Sequence, residues 1–383
     1  MNYIFDQHID RRNSDSKKWN AYGDDVIPLW VADMDFRAPE PVINALENRM
    51  RHGVFGYSKE INELKDTIVE RMDILYQWKI NTEDILFLPG VVPGFNLACR
   101  SFLESGESVI MQTPVYPPFL KAPTNSHLNR IENELTLDSM DNYSIDFDDF
   151  EQKFERSTKL FILCNPHNPV GRVFNKYELE KFAGICLQHR AIICSDEIHC
   201  DLVFSGHKHI PIAALDPEIA QNSITLMAPS KTYNIAGLKC SYIIAQNPKL
   251  REKLLYHMQA ITGSVNLFGY TAAQAAYKDG QPWLDELLKY LEGNRDYLLD
   301  YVKRKIPGIK ITKPEGTFLA WLDCNQIVSI TKNPYEFFLT HAQVALNDGQ
   351  AFGKPGKGFV RLNFGCPKSL LEEALERMSN SLS

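Results

Sequence analysis

Short apolar runs, rich in β-branched and aromatic residues, recur through the middle of the chain: "ILFLPG" from 85, "SVIMQTPVY" from 108, "KLFILCNP" from 159, "AIICSDE" from 191, "SITLMAPSK" from 223 and "SYIIAQN" from 241. Each has the length and bounding turn residues of a buried strand. Most are separated by segments of helical period, such as "PGFNLACRSFL" from 93 and "KYELEKFAGICLQHR" from 176. This alternation predicts an α/β architecture with a mainly parallel sheet and helices on both of its faces.

Past about residue 280 the pattern changes. Leu284, Leu287, Leu288 and Leu291, continued by Leu298, Leu299 and Val302, form one apolar stripe at helix spacing. Strand-like "TFLAWLDC", "QVALND" and "FVRLNF" then precede a last helix from about 368, which predicts a smaller α+β domain. The expected division is a 1–45 segment, rich in proline and charge, packing on the small domain, then a large domain over 46–282 and a small one over 283–383. No internal repeat is visible.

Composition narrows the function. At 383 residues, 44% hydrophobic and 23% charged, the chain is an ordinary globular one with material for two domains. A formal net charge of -7, without long like-charge blocks, offers no basic stripe to nucleic acid. No segment has the apolar length of a membrane span, and "MNYIFDQHIDRRNSDSKKWN" has no signal-type apolar core, so a cytoplasmic protein is expected. Of eight cysteines none forms a C-x-x-C pair, and Cys164, Cys194 and Cys240 lie in or beside strand-like runs, as reduced core thiols do. His207 and His209 in "HKH" have a spacing that could hold a metal, but between Gly206 and Pro211 they read as a polar surface turn.

In a parallel α/β sheet ligands bind beyond the carboxyl ends of the strands. The residues found there are Gly90, Tyr116, Asn168, Asp196 and Lys231. Taken singly, each has an ordinary explanation: a solvated lysine, a capping aspartate, a turn asparagine, a core tyrosine. Together they meet one demand, that of pyridoxal 5'-phosphate for a lysine amine, an anion at its ring nitrogen, a donor at its phenolic oxygen and a cradle for its phosphate. "PGVVPGF" opens a helix after a strand, so amides near Val91 and Val92 can face the phosphate. Ser230 and Lys239 in "APSKTYNIAGLK" can add a hydroxyl and a cation. "GKPGKG" near 353 leads into a strand and reads as a flexible turn, not a phosphate loop.

"NPHNPVG", "SDEIHCDL", "APSKTYNIAGLK" and "VRLNFG", in this order, resemble fold-type I pyridoxal-phosphate enzymes of the class I/II aminotransferase superfamily, over nearly the whole chain. "PLWVADMDF" and "DEIHCDL" are similar to the MalY/PatB group of carbon–sulfur β-lyases. The resemblance implies that Lys231 bonds the cofactor aldehyde, Asp196 pairs with the ring nitrogen, Asn168 bonds the phenolic oxygen and Tyr116 stacks on the ring. Arg361 would grip the substrate α-carboxylate, with Asp33 also at the substrate, where segments near Asp33, Phe36 and Phe352 shape the pocket. Tyr57 of "GYSKE" would reach the partner subunit's phosphate in a homodimer with shared sites.

The chain carries His199, counted among the cofactor contacts, where many aminotransferases have tyrosine. It has Lys239 where they often have arginine and Ala228 where they often have serine. These departures are compatible with the lyase group. The expected activity is therefore that of a cystathionine β-lyase or related lyase of cysteine S-conjugates, with a small-molecule amino-acid substrate, and with an aminotransferase as the alternative. A regulator without turnover is the third possibility, for which the chain has neither room nor charge to carry a DNA-binding module.

Overall fold

The computed structural model describes residues 3–138, 142–330 and 332–382. The six apolar runs all become strands of one seven-stranded sheet, ordered in space Ile85–Leu88, Ser241–Ile244, Ser223–Met227, Ile192–Asp196, Thr158–Cys164, Ser108–Thr113 and Asn129–Glu134. From Ser223–Met227 to Asn129–Glu134 the pairing is parallel, whereas Ser241–Ile244 runs antiparallel to both of its neighbours. Strand Asn129–Glu134, "NRIENE", escapes the hydrophobic pattern because it is an edge strand, mostly exposed or half-buried. Polar, charged residues at such an edge discourage pairing with another chain.

Alternation along Thr158–Cys164 sends Leu160, Ile162 and Cys164 into the core on one face of the sheet and Phe161 and Leu163 into the core on the other. Each large side chain so buried contributes about 1.5–3 kcal/mol. Helix Val91–Phe102 lies against the first of these faces. A Cβ at Gly94 would meet Leu226 at 3.0 Å and Leu88 at 3.1 Å, so glycine lets the helix approach the sheet closely.

Beyond residue 280 the apolar stripe forms helix Gln281–Lys305, with Leu284, Leu287, Leu291, Leu298 and Val302 buried and Leu288 and Leu299 half-buried at its margins. An antiparallel sheet follows, ordered Lys310–Ile311, Leu319–Asp323, Phe359–Asn363, Asn347–Asp348, and helix Lys368–Asn380 ends the chain.

The N-terminal segment joins the two units. Ile27–Pro28 pairs in parallel with Val344–Ala345, and Phe5 packs edge-on against Trp283. Asn234 of the large unit binds the backbone of Met34 and Phe36. A boundary at 45 would cut helix Glu40–Arg51, which packs on helix Leu267–Asp279. We propose to draw it before Glu40 instead, with the small unit starting at the helix that opens at Gln281.

Two local expectations are corrected. His209 is not on the surface: it is 3% exposed, with Nε2 2.8 Å from Glu197 Oε2, because a histidine paired with a carboxylate can be buried. Nor is the "GKPGKG" segment loose, since a Cβ on Gly356 would lie 1.9 Å from the carbonyl oxygen of Gly349. All eight cysteines are free and buried. Among the described residues no cluster suited to a metal is found, and no helix is long and apolar enough to cross a membrane.

Candidate active site

The carboxyl ends of the parallel strands and the start of antiparallel Ser241–Ile244 converge on a cavity of about 690 Å3. Asp196 ends its strand there, 3% exposed, and Ile198 N–H donates to its Oδ1 at 3.1 Å. Among the described residues its other oxygen has no protein partner. Burial pushes this carboxyl up to about 7, with the charge of Glu197 adding to the effect and the Ile198 N–H and Lys231 opposing it. A cation placed against that oxygen would hold the proton off.

Lys231 sits in the short helix Pro229–Thr232 that follows strand Ser223–Met227. Its Nζ donates to the carbonyl of Ala32 at 2.6 Å. Burial lowers its pKa to about 8, with Asp33 and Asp196 opposing and Arg361 and Lys239 reinforcing. A neutral amine, the nucleophilic form, is therefore within reach near neutrality.

Arg361 lies on strand Phe359–Asn363, and its fork is braced on several sides. Nη1 donates to Asn168 Oδ1 at 3.0 Å, and Nη2 donates to the carbonyl of Trp30 at 2.9 Å and to Asn347 Oδ1. The guanidinium lies 5.0 Å over the ring of Phe352. Its Nε has no partner, and burial lowers the group to about 10.

His199 is 3% exposed, and its Nδ1 lacks a partner. Burial, with the charges of Lys231 and Arg361, drives it down to about 3, so the imidazole is neutral. Tyr116, whose phenol is raised by burial, presents its ring to the same cavity, as do Val91, Val92, Ser230 and Lys239. Val91 and Val92 open a helix whose first amides have no side-chain cap. Two candidates stand apart. Asp33 faces Arg11, with Oδ2 2.6 Å from Nη2, and does not line the cavity. Tyr57 is fully exposed and away from this chain's cavity.

The sequence profile of the class I and II aminotransferases matches residues 24–378. The chain belongs to that family. It is 41% identical to cystathionine β-lyase PatB of Bacillus subtilis (strain 168) over 386 residues, covering 99% of this chain and 100% of PatB. The crystal structure of OvoB superposes with a TM-score of 0.95 at 45% identity, covering 100% of this chain and 99% of that one. Cystalysin from Treponema denticola, whose structure contains pyridoxal 5'-phosphate, gives a TM-score of 0.95 at 37% identity, again covering 100% and 99%.

The donor set of this family member suits that cofactor. Lys231 offers an amine, Asp196 a carboxylate with an oxygen to spare, Asn168 an amide, and the start of helix Val91–Phe102 uncapped N–H groups with Ser230 and Lys239 beside them. The three positions that depart from common aminotransferase residues, His199, Lys239 and Ala228, all line the cavity.

Sequence reasoning missed several groups. Trp30 and Asn347 brace Arg361 from segments distant in sequence, without a motif to mark them. Cys240 and Ser241 reach the cavity because their strand is antiparallel, which brings its amino end to the site. His167, fully buried, lies 2.8 Å from the carbonyl of Pro114 and 3.1 Å from that of Cys164. It ties together the two segments that carry Tyr116 and Asn168, which are also joined by Tyr116 N–H to the carbonyl of Asn168 at 3.1 Å.

Arg361→Lys should raise KM for amino-acid substrates roughly tenfold or more while leaving the cofactor spectrum intact, since one ammonium cannot reproduce a two-pronged carboxylate clamp. Steady-state kinetics with several amino acids check this. An unchanged KM would leave Arg361 a structural strand residue.

Proposed function

We propose that this chain is a pyridoxal-phosphate-dependent carbon–sulfur β-lyase that splits L-cystathionine or a related cysteine S-conjugate into pyruvate, ammonia and a thiol, homocysteine in the case of cystathionine. What carries this reading is the full-length 41% identity to a cystathionine β-lyase. The cavity that gathers Lys231, Asp196, Asn168 and Arg361 supports it.

Bound pyridoxal phosphate supplies an electron-withdrawing ring that stabilises negative charge at the substrate α-carbon. Arg361 holds the α-carboxylate and so turns the α-hydrogen toward Lys231. Lys231 Nζ, freed when the substrate amine takes its place at the cofactor aldehyde, would take that proton. Asp196 would keep the proton on the ring nitrogen, and Asn168, whose Oδ1 accepts from Arg361 Nη1, would be free to donate through its amide NH2 to the phenolic oxygen. The C–S bond would then break with its electron pair leaving on sulfur, which can take up the proton held by Lys231, and the three-carbon enamine, once released, would take up water to give pyruvate and ammonia.

The deciding assay follows pyruvate and free thiol from cystathionine with and without an added 2-oxo acid. A lyase forms both continuously without an acceptor. Product that appears only with the 2-oxo acid, together with a new amino acid, would make the protein an aminotransferase.

The working unit in this reading is a cytoplasmic homodimer with shared sites. Val54, Phe55 and Tyr57 are exposed apolar side chains on one loop, as a surface awaiting a second copy would have. Tyr57 would reach the phosphate bound by the other subunit. Co-refolding Lys231→Ala chains with Tyr57→Ala chains should then give activity above either parent, because each mixed dimer holds one site with both residues intact. Recovery no better than the parental average would sink the shared-site claim.

A further inference from the structure

The charged side chains that line the cavity among the described residues are Lys17, Lys231, Lys239, Arg361 and Asp196. The lyase reading uses all but one: Lys231 for the aldehyde, Asp196 for the ring nitrogen, Lys239 for the phosphate and Arg361 for the α-carboxylate. Lys17 is left over. It is solvent-exposed at the cavity, its ammonium 6.0 Å from the centroid of the Trp30 ring. Among the described residues no carboxylate lies within ion-pair distance of it.

An exposed lysine is ordinarily solvated surface, but the backbone that carries this one is fixed. The neighbouring Lys18 is fully buried, with Nζ 2.6 Å from Asp35 Oδ2. Trp30 Nε1 donates to the carbonyl of Lys18 at 3.2 Å. The carbonyl of the same Trp30 accepts from Arg361 Nη2 at 2.9 Å. One tryptophan therefore sets both the chain beneath Lys17 and the guanidinium that holds the α-carboxylate. The cavity leaves room beside a cofactor for a substrate side chain.

We infer that Lys17 selects cysteine S-conjugates whose sulfur substituent ends in a carboxylate, by pairing its ammonium with that group. This deepens the lyase reading and rests on it. A conjugate with two carboxylates finds a cation for each, Arg361 for the near one and Lys17 for the far one. The pair is partly solvated, so its effect is modest, about five- to twentyfold in affinity, and it weakens as salt is added.

The test compares S-(2-carboxyethyl)-L-cysteine with S-propyl-L-cysteine, which differ only at the end of the side chain. Their affinities for the holoenzyme are read from the change in cofactor absorbance on binding. Lys17→Met should reduce the preference for the carboxylated conjugate about five- to twentyfold, and Lys17→Arg should restore most of it. A preference ratio unchanged in Lys17→Met, or shifted alike in the Met and Arg variants, would overturn the assignment. Because affinity is read before the α-C–H or the C–S bond of the conjugate breaks, it judges Lys17 whether the bound conjugate eliminates or transaminates. Absence of pyruvate from the unaltered enzyme would instead overturn the lyase reading.

Discussion

Lys231→Ala is expected to lower turnover of cystathionine by roughly 10^3-fold or more, because it removes the base positioned at the α-carbon and the amine that bonds the cofactor. Proton transfer by a placed side chain is worth about 10^2 to 10^4. The change deletes a half-buried side chain whose Nζ donates to the carbonyl of Ala32, so the fold should survive it. Lys231→Arg separates chemistry from charge. A guanidinium keeps the positive charge facing Asp196 but stays protonated at any usable pH, so it can neither take the proton nor bond an aldehyde. It should be as inactive as the alanine variant, and substantial activity in it would reduce Lys231 to a counter-charge. Borohydride, which turns a carbon–nitrogen double bond into a stable amine, should fix the cofactor on the peptide carrying Lys231. Label recovered on Lys239 would overturn the assignment.

The strands that build the site were legible because a parallel sheet buried on both faces needs continuous apolar runs, and Ile85–Leu88 or Ile192–Asp196 can be read for that reason alone. The residues just beyond those runs were legible for the same reason: Asn168, Asp196 and Lys231 follow from where the strands stop. Other features depended on tertiary contacts that leave no local mark. Strand Asn129–Glu134 satisfies only one edge and needs no apolar side chains on its outer side, so its sequence reads as a loop. His209 looked like surface because the buried Glu197 that pairs with it lies twelve positions away. Asp33, expected at the substrate, instead turns its carboxylate to Arg11 and does not line the cavity, although its charge still raises the pKa of Lys231, and no sequence rule reveals that pairing. Trp30 shows the same limit from the other side. Its carbonyl, which every residue has, is the part that braces Arg361.

Asp196→Ala should lower kcat by roughly 10^2- to 10^3-fold while weakening cofactor retention much less, since the carboxylate matters most when charge develops at the substrate α-carbon. Near-normal kcat in that variant would remove Asp196 from the chemistry. The same residue makes a second expectation that needs no turnover. In the cofactor-free protein burial raises the carboxyl from 3.8 to about 7, so between those values the folded state binds the proton that the unfolded chain has released. Stability linked to this group is fully present below about 4 and is lost as the pH rises through 7. Thermal unfolding of the cofactor-free protein across that window should therefore show a decline that is flatter in Asp196→Asn, whose amide does not titrate. A cation bound against the carboxylate offsets the burial that raised it, so loading the protein with pyridoxal phosphate should raise Tm more at pH 7.5 than at pH 5 in the unaltered chain, and the difference should shrink in Asp196→Asn. An equal rise at both pH values in the unaltered protein would mean that the carboxylate does not meet a positive charge on the cofactor, and the role given to Asp196 would have to be withdrawn.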